Sequence, residues 1–404
     1  VGGIIRAVYS SSNGLEKRPR LAFRNTDGSH FPCWRQTSLG CIIEPYSEKV
    51  YGEHDYEVLT SSREGLQRQE DHFGSKQRHD TDGYNIIPFG YCTYRNRSDD
   101  GKFAFNINTI SEKAIVSKFY PVFRFTNANS TFMAEFLNSS PRVKKKLSVL
   151  AVGTSQVVLS FEALKAAKFD LPCKDEQDKI AAFLECLNTR IENQRTLVVA
   201  LKKYKRGVVD GIFSRKLNFS YPQTWAELEI SELFMPISDK GYSDKIVLTI
   251  VQGEGTMPRD SVDRRIAYDK STISSYKRVL PNDFILHLRS FEGGLEIVNE
   301  EGVVSPAYTI LRARNEIIPL FFYTFFRSYW FINSKLRISV EGIRDGKSIN
   351  MNTFWHIKVP VPSIEEQRHI SALISSIDNR IKIAEFEYKR LLQIRVGLMQ
   401  QLFI

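Results

Sequence analysis

Two apolar stripes of equal length, 190 residues apart, constrain this chain more than any other feature. Stepping alternately four and three residues from Ile180 meets Leu184, Leu187, Ile191, Gln194, Val198, Leu201, Lys205, Val208 and Ile212. From Ile370 the same step meets Ile374, Ile377, Ile381, Ala384, Tyr388, Leu391, Arg395, Leu398 and Leu402. Eight and nine of the ten positions are apolar, which predicts coiled-coil seams held for over four heptads. At about 1.5 Å per residue each helix runs about 55–60 Å. A small domain cannot bury so long a stripe, so the simplest solution packs the two helices together. A globular segment lies between them, which makes an antiparallel pair the natural geometry, with a globular part at each end of a rigid rod.

The stripes belong to a larger duplication. Asp-Leu-Pro-Cys-Lys-Asp-Glu-Gln at 170–177 returns as Pro-Val-Pro-Ser-Ile-Glu-Glu-Gln at 360–367, with Gly207 matched by Gly397 and Phe213 by Phe403. Pro172 and Pro362 stand just before the helices, where proline ends a strand and enters a helix without clash. The globular parts open alike at Cys33-Trp34-Arg35 and Thr224-Trp225-Ala226. Inside them Val116-Ser117-Lys118-Phe119-Tyr120 parallels Val304-Ser305-Pro306-Ala307-Tyr308. Tyr91–Tyr94, Val122–Phe125 and Tyr308–Leu311 read as short strands, and Ser130–Leu137 and Pro319–Trp330 as helices after each inner repeat. The predicted class is α+β: two similar mixed α/β domains separated by two long helices in an antiparallel coiled coil, a pseudo-two-fold repeat of about 190 residues. The expected boundaries are an N-terminal segment at 1–33, domains at 34–172 and 218–361, and spacer helices at 173–217 and 362–404.

With 42% hydrophobic residues, 27 Phe and 17 Tyr, the chain has ample material for cores. Lys and Arg exceed Asp and Glu by 10, a balance compatible with a polyanionic partner. The five cysteines are scattered without a CxxC, which argues against a disulfide framework or a zinc site and suits a reducing cytoplasm. No apolar run approaches the ~20 residues of a membrane span. The opening Val-Gly-Gly-Ile-Ile-Arg has neither a Met nor the apolar region of a signal peptide.

Enzymatic motifs fail on inspection. An adenine methyltransferase needs an Asn-Pro-Pro-Tyr or Asp-Pro-Pro-Tyr motif for a flipped base, and the chain has no Pro-Pro pair. Gly342-Ile343-Arg344-Asp345-Gly346-Lys347-Ser348 has three residues between its glycines where a P-loop has four, and Gly293-Gly294 reads as a turn. The seven His residues have no ligand spacing, and there is no nucleophile elbow.

The two Pro-x-x-x-Glu-Gln-x-x-Ile segments (Pro172 to Ile180, Pro362 to Ile370), Lys202-Lys203-Tyr204-Lys205-Arg206-Gly207 with Ile212-Phe213, and the Trp34 and Trp225 openings resemble the specificity (S) subunits of Type I restriction–modification systems. The resemblance covers residue 34 to the end. It implies a non-catalytic DNA-recognition subunit for phage defence. Each globular part would be a target recognition domain reading one half of a bipartite, asymmetric double-stranded DNA target. The helices would set the gap between half-sites and dock two methyltransferase (M) subunits for adenine methylation. Two restriction (R) subunits would join where the system cleaves. It implies no cofactor in this chain, S-adenosylmethionine, ATP and Mg belonging to the partner subunits, and a bacterial or archaeal cytoplasm. The alternative is a coiled-coil scaffold whose duplicated domains bind proteins.

Reading DNA in a groove needs forked donors and amides on loops: Arg for guanine, Asn or Gln for adenine. The first domain offers Arg63, Gln67, Arg68 and Gln69, then Arg95, Asn96 and Arg97 before the turn that ends in Lys102. The second offers Arg259, Arg264 and Arg265, then His287, Arg289 and Ser290, and a third loop with Arg344, Lys347 and Asn350. Arg95-Asn96-Arg97 and Arg289-Ser290 occupy equivalent places upstream of the inner repeat. Each arginine competes with a plainer role as a solvated side chain or ion pair. Lys144-Lys145-Lys146 suits phosphate better than bases. Many family members carry Gly-Gly-Thr-Arg where this chain has Val152-Gly153-Thr154-Ser155-Gln156, so no arginine role passes to Ser155; Gly342-Ile343-Arg344 is the candidate for the equivalent loop. Helical phase turns Arg190, Asn193, Arg195, Asp378, Arg380 and Lys382 outward toward M subunits.

Overall fold

In the computed structural model both stripes form uninterrupted helices, Lys174–Phe213 and Ile364–Leu402. The structure describes residues 5–6, 21–74, 80–217, 224–262, 270–287, 292–342 and 347–403. The chain folds as two units: residues 1–194 with 387–404, and residues 195–386. Each unit therefore takes one part of each long helix.

Every seam position is buried or half-buried, from Ile180, Leu184, Leu187, Ile191 and Leu201 to Ile370, Ile374, Ile377, Ile381 and Leu391. The seam's two cations find partners across it. In the second unit Lys205 Nζ lies 2.6 Å from Asp378 Oδ1, and Lys202 Nζ 2.6 Å from Glu385 Oε1. As one helix ascends the other descends, so the pair is antiparallel. In the first unit Arg395 donates to Asn188 Oδ1 at 2.9 Å and pairs with Glu135 at 2.8 Å. Lys205 and Arg395, like Asn188 and Asp378, are equivalent positions of the duplication, so one cross-seam contact recurs in both units. Asp378, expected to face outward, instead turns into the seam, because the Lys205 ammonium beside it would otherwise lie half-buried without a counter-charge.

The two units repeat one topology. In the first, Ile43–Tyr46, Val122–Phe125, Cys92–Tyr94 and Phe105–Ile107 form an antiparallel sheet in that spatial order. In the second, Phe234–Ile237, Tyr308–Ala313, Phe284–His287 and Glu296–Ile297 do the same. A further pair ties each unit's first strand to the strand that leads into its long helix: Arg35–Ser38 with Lys168–Leu171, and Ala226–Glu229 with Lys358–Val361. The hairpin Glu57–Ser62 and Gly65–Arg68 corresponds to Leu248–Val251 and Gly255–Pro258.

The repeated Glu-Gln is the bolt between globular part and helix. Gln177 is 4% exposed; its amide donates to Pro172 O at 3.0 Å and its carbonyl accepts from the Asn129 N–H at 2.9 Å. Gln367, 1% exposed, donates to Pro362 O at 3.0 Å and accepts from the Ile318 N–H at 3.0 Å. Asn129 and Ile318 are the N-cap residues of Ser130–Ser139 and Pro319–Phe326, the short helices that carry each unit's aromatic core. The cap N–H has no intrahelical acceptor, and a buried one must be satisfied. The neighbouring glutamates diverge: Glu176 accepts from the Trp34 indole at 3.2 Å, whereas the Trp225 indole N–H is buried without a partner.

The far end of the other long helix closes each core. Phe403 packs edge-on against Phe132 and Phe136 in the first unit, with ring centroids 5.8 and 5.6 Å away. Phe213 packs edge-on against Phe321 and Phe325 in the second, at 5.6 and 5.0 Å. The chain is thus laced: the helix leaving one globular part ends in the core of the other's unit.

Replacing Gln177 or Gln367 with Leu leaves a buried N–H and carbonyl unpaired and should cost roughly 2–4 kcal/mol in a denaturant titration. A loss no larger than that of exposed Gln400→Leu would show the bolt to be dispensable. Phe403→Ala should cost about 3–5 kcal/mol. It should speed amide exchange in Ser130–Ser139 and spare Pro319–Phe326, with Phe213→Ala giving the converse; equal acceleration in both helices would contradict the lacing.

Candidate nucleic-acid interface

In the first unit the structure joins two clusters that the sequence separates. Arg63 sits at the tip of the hairpin Glu57–Ser62 and Gly65–Arg68, and its Nη2 lies 2.6 Å from Asp100 Oδ1. The same carboxylate accepts from Ser98 Oγ at 3.0 Å and the Lys102 N–H at 3.2 Å, with Lys102 Nζ at 3.4 Å. Lost solvent works to raise the Asp100 pKa, but hydrogen bonds from Ser98, Lys102 and Arg63 outweigh it and hold it down to about 2. Asp100 is therefore a charged tether throughout the physiological range. Asn106, only 8% exposed, reinforces it by donating to Ser61 Oγ and Ser62 O, both at 2.8 Å. Hairpin tip and loop present Arg63 and Lys102 as one basic patch.

The other candidates of this unit divide. Arg68 is taken by Glu57 at 2.8 Å, and Gln67 hydrogen-bonds His72 at 2.9 Å. Gln69 opens the short helix Gln69–Phe73 and has a partner of its own. Arg95 and Arg97 are exposed and carry no ion pair among the described residues; Asn96 is half-buried, and its Oδ1 has no hydrogen-bond partner. Arg97 begins the pair Arg97–Ser98 with Val157–Val158, which fixes its backbone. Of the lysine run, Lys146 donates to Lys168 O and lies 5.1 Å from the Phe169 ring centroid, a fold-stabilising use.

Sequence reasoning passed over Phe119. It stands at the tip of the turn Ser117–Tyr120, 49% exposed, with the Arg97 guanidinium 5.0 Å and Lys118 Nζ 5.8 Å from its ring centroid. An aromatic at the variable tip of a repeated turn was the available signal.

In the second unit Arg259, His287 and Tyr308 line one concavity of about 830 Å³, with Gln252, Thr249 and Ser261 on its wall. His287 and Tyr308 face each other across paired strands, ring centroids 5.2 Å apart. Burial raises the Tyr308 hydroxyl's pKa, while the Arg259 charge works to lower it. Lys347 is exposed. Asn350 is engaged within the fold: its Oδ1 caps the helix Met351–Trp355 through the Thr353 N–H at 3.2 Å, and its Nδ2 donates to Glu341 Oε1 at 2.6 Å. Arg264, Arg265, Arg289, Ser290 and Arg344 lie outside the described residues.

The strand register makes the two sites comparable. Phe123 pairs with Cys92 as Leu311 pairs with Phe284, so Arg95 corresponds to His287 and, by count along the chain, Arg97 to Arg289. Ser117 turns the chain by accepting from the Phe119 N–H at Oγ and the Tyr120 N–H at its carbonyl; Ser305 does the same for Ala307 and Tyr308. Among the described residues no three His, Cys, Asp or Glu side chains gather as for a metal ion, and no helix is long and apolar enough to cross a membrane.

Known proteins match this arrangement. Two specificity-subunit sequences from Methanocaldococcus jannaschii are similar: the putative type I restriction enzyme MjaX subunit, 24% identical over 224 residues, and the MjaVIII subunit, 24% identical over 215. Each alignment covers 51% of this chain, and the chain spans about half the length of these relatives (51% and 47%). The crystal structure of a Type I restriction–modification S subunit from M. genitalium shares the fold at 17% identity and a TM-score of 0.55, covering 96% of this chain and 99% of that one. A chain solved in work on complex assembly and conformational transition of the type I R-M system matches at 16% identity and a TM-score of 0.55, over 92% and 98%. The model for the Type I restriction modification DNA specificity domain matches residues 44–201 and again 222–393. With two copies of that domain spanning most of its length, this chain belongs to the Type I restriction–modification DNA specificity family.

Proposed function

We propose that this chain is the target-reading subunit of a Type I complex, recognising a bipartite, asymmetric DNA sequence with one half-site per globular part. One observation carries the reading. Two copies of one scaffold present the same strand order and serine turn with different side chains: Arg95 and Lys118-Phe119 in one, His287 and Pro306-Ala307 in the other. A shared strand frame and turn with unequal donors suit two different half-sites and do not suit a palindrome. In the first part Arg63, Arg95, Arg97 and Lys102 are the proposed contacts; in the second, Arg259, His287 and Lys347, with Arg264, Arg265, Arg289, Ser290 and Arg344 proposed from sequence alone. Gln67, Arg68, Gln69 and Asn96 are proposed to support these contacts.

The long helices are proposed to dock two methyltransferase subunits. Leu197, Val199, Tyr204, Ile383 and Phe386 of the second unit, and Leu392, Ile394 and Val396 of the first, remain exposed, with Phe386 at 68%. Exposed apolar side chains on helices support a protein partner. Arg190, Asn193, Arg195, Arg380 and Lys382 are exposed on the same helices and would form a polar rim. Adenine methylation, and cleavage where restriction subunits join, would be chemistry of those partners with their S-adenosylmethionine, ATP and Mg, in the cytoplasm.

Two results test this. In the complex assembled with methyltransferase subunits, Arg95→Ala should weaken reading of one half-site by about 1–3 kcal/mol and leave the other untouched, with Arg259→Ala doing the reverse. Equal losses at both halves would sink the division of labour. Affinity for the target should also fall roughly 10³-fold between 50 and 200 mM salt, as six or more phosphate contacts require; a flat salt response would favour the protein-binding scaffold.

A further inference from the structure

We propose that Phe119 is a positioning residue that seats Arg97 to read a guanine in the first half-site, and that the two residues at the tip of the Ser117–Tyr120 turn help set that half-site's specificity. This deepens the reading above and rests on it. The turn is built rigidly. Asn85, 9% exposed, donates from one amide to Lys118 O at 3.4 Å and Tyr120 O at 2.9 Å, the carbonyls on either side of Phe119. Thr93 holds the next residue by donating to Pro121 O at 2.8 Å. A half-exposed ring on so constrained a backbone is presented outward, and it adds little to the core.

What the ring meets is Arg97, with its guanidinium 5.0 Å from the ring centroid. Guanidinium stacks on an aromatic face while its N–H edge stays free, and this is the geometry in which arginine can fork onto guanine O6 and N7. Arg95, also exposed and without an ion pair among the described residues, has no ring beneath it in the described contacts, and three further arginines of this unit are differently committed. Arg63 is held by Asp100, Arg68 by Glu57 and Arg124 by Glu44. A carboxylate partner occupies part of the fork and offsets its charge; the Phe119 ring orients it and leaves the whole N–H edge available. Lys118, exposed beside the ring, adds a charge suited to a neighbouring phosphate. The second turn repeats the serine hydrogen bonds but carries Pro306-Ala307, with no aromatic residue at the place of Phe119. The two half-sites are then read by different means on one scaffold.

The test is a base-by-base preference profile of the assembled methyltransferase complex against DNA randomised in both half-sites. Phe119→Ala should lower the preference for guanine at one position of one half-site by about 10- to 100-fold, the worth of a bidentate contact. Arg97→Lys, which keeps the charge and loses the fork, should strike the same position. Phe119→Trp should restore it. The inference is overturned if the wild-type complex reads a bipartite site and the two variants strike different positions, strike both halves alike, or change nothing. It is also overturned if Trp fails to rescue. If the wild-type complex shows no bipartite preference, the functional reading falls with it.

Discussion

A single buried amide in each unit, Gln177 and Gln367, holds the architecture together. It solves three problems at once. It satisfies the N-cap N–H of the aromatic-core helix, it pins the proline carbonyl at which strand gives way to long helix, and it ties these elements in one place. A leucine there would fill the volume but leave two backbone groups unpaired inside the protein, which is costlier than losing an exposed contact. From that point the rest follows. The core helix is fixed against the start of one long helix, its phenylalanines meet Phe403 or Phe213 at the end of the other, and the seam between must be antiparallel. In the sequence the repeated Glu-Gln marks the duplication. It is a joint.

With the joint duplicated, the surfaces are free to differ. The serine turn, the strand order and the terminal strand pair recur, while the turn tips, the loop after Cys92–Tyr94 and the tryptophan partners diverge. Trp34 donates to Glu176, whereas Trp225 lies 4.1 Å beneath the Arg215 guanidinium and leaves its N–H unsatisfied. Such differences sit on loops over a common frame, which is where binding specificity can change without refolding the domain.

The sequence made the frame legible because periodicity is local. Seam residues from Ile180 to Ile212 and from Ile370 to Leu402 were readable from a four-three step, and the core helices at Ser130 and Pro319 from their aromatic runs. The sites were only half legible because their chemistry depends on partners far along the chain. Arg63 and Asp100 are 37 residues apart, and nothing local shows that one carboxylate gathers Arg63, Ser98 and Lys102. Asn350 looked like a base-reading amide, yet the residue three places on makes it a cap. Asp378 looked outward by phase, but Lys205 from the other helix draws it into the seam. Phe119 was visible within the repeated turn, but its meaning required Arg97 to arrive over the ring.

The polar positions in the seam complete the physical picture. An all-apolar four-three stripe can slide by a heptad and still bury its side chains, so hydrophobicity alone fixes the pairing poorly. Lys205 with Asp378, and Arg395 with Asn188 and Glu135, are satisfied in the observed register; a slip that faced either cation with Ile, Leu or Val would leave it half-buried and unpaired. Removing one partner from such a half-buried pair costs more than the pair contributes, and that asymmetry gives register its specificity. Under the proposed function this is where selection on sequence recognition would act. Two readers joined by helices are useful only if the helices settle in one alignment, and a polar contact across the seam at equivalent places in each unit favours the observed one.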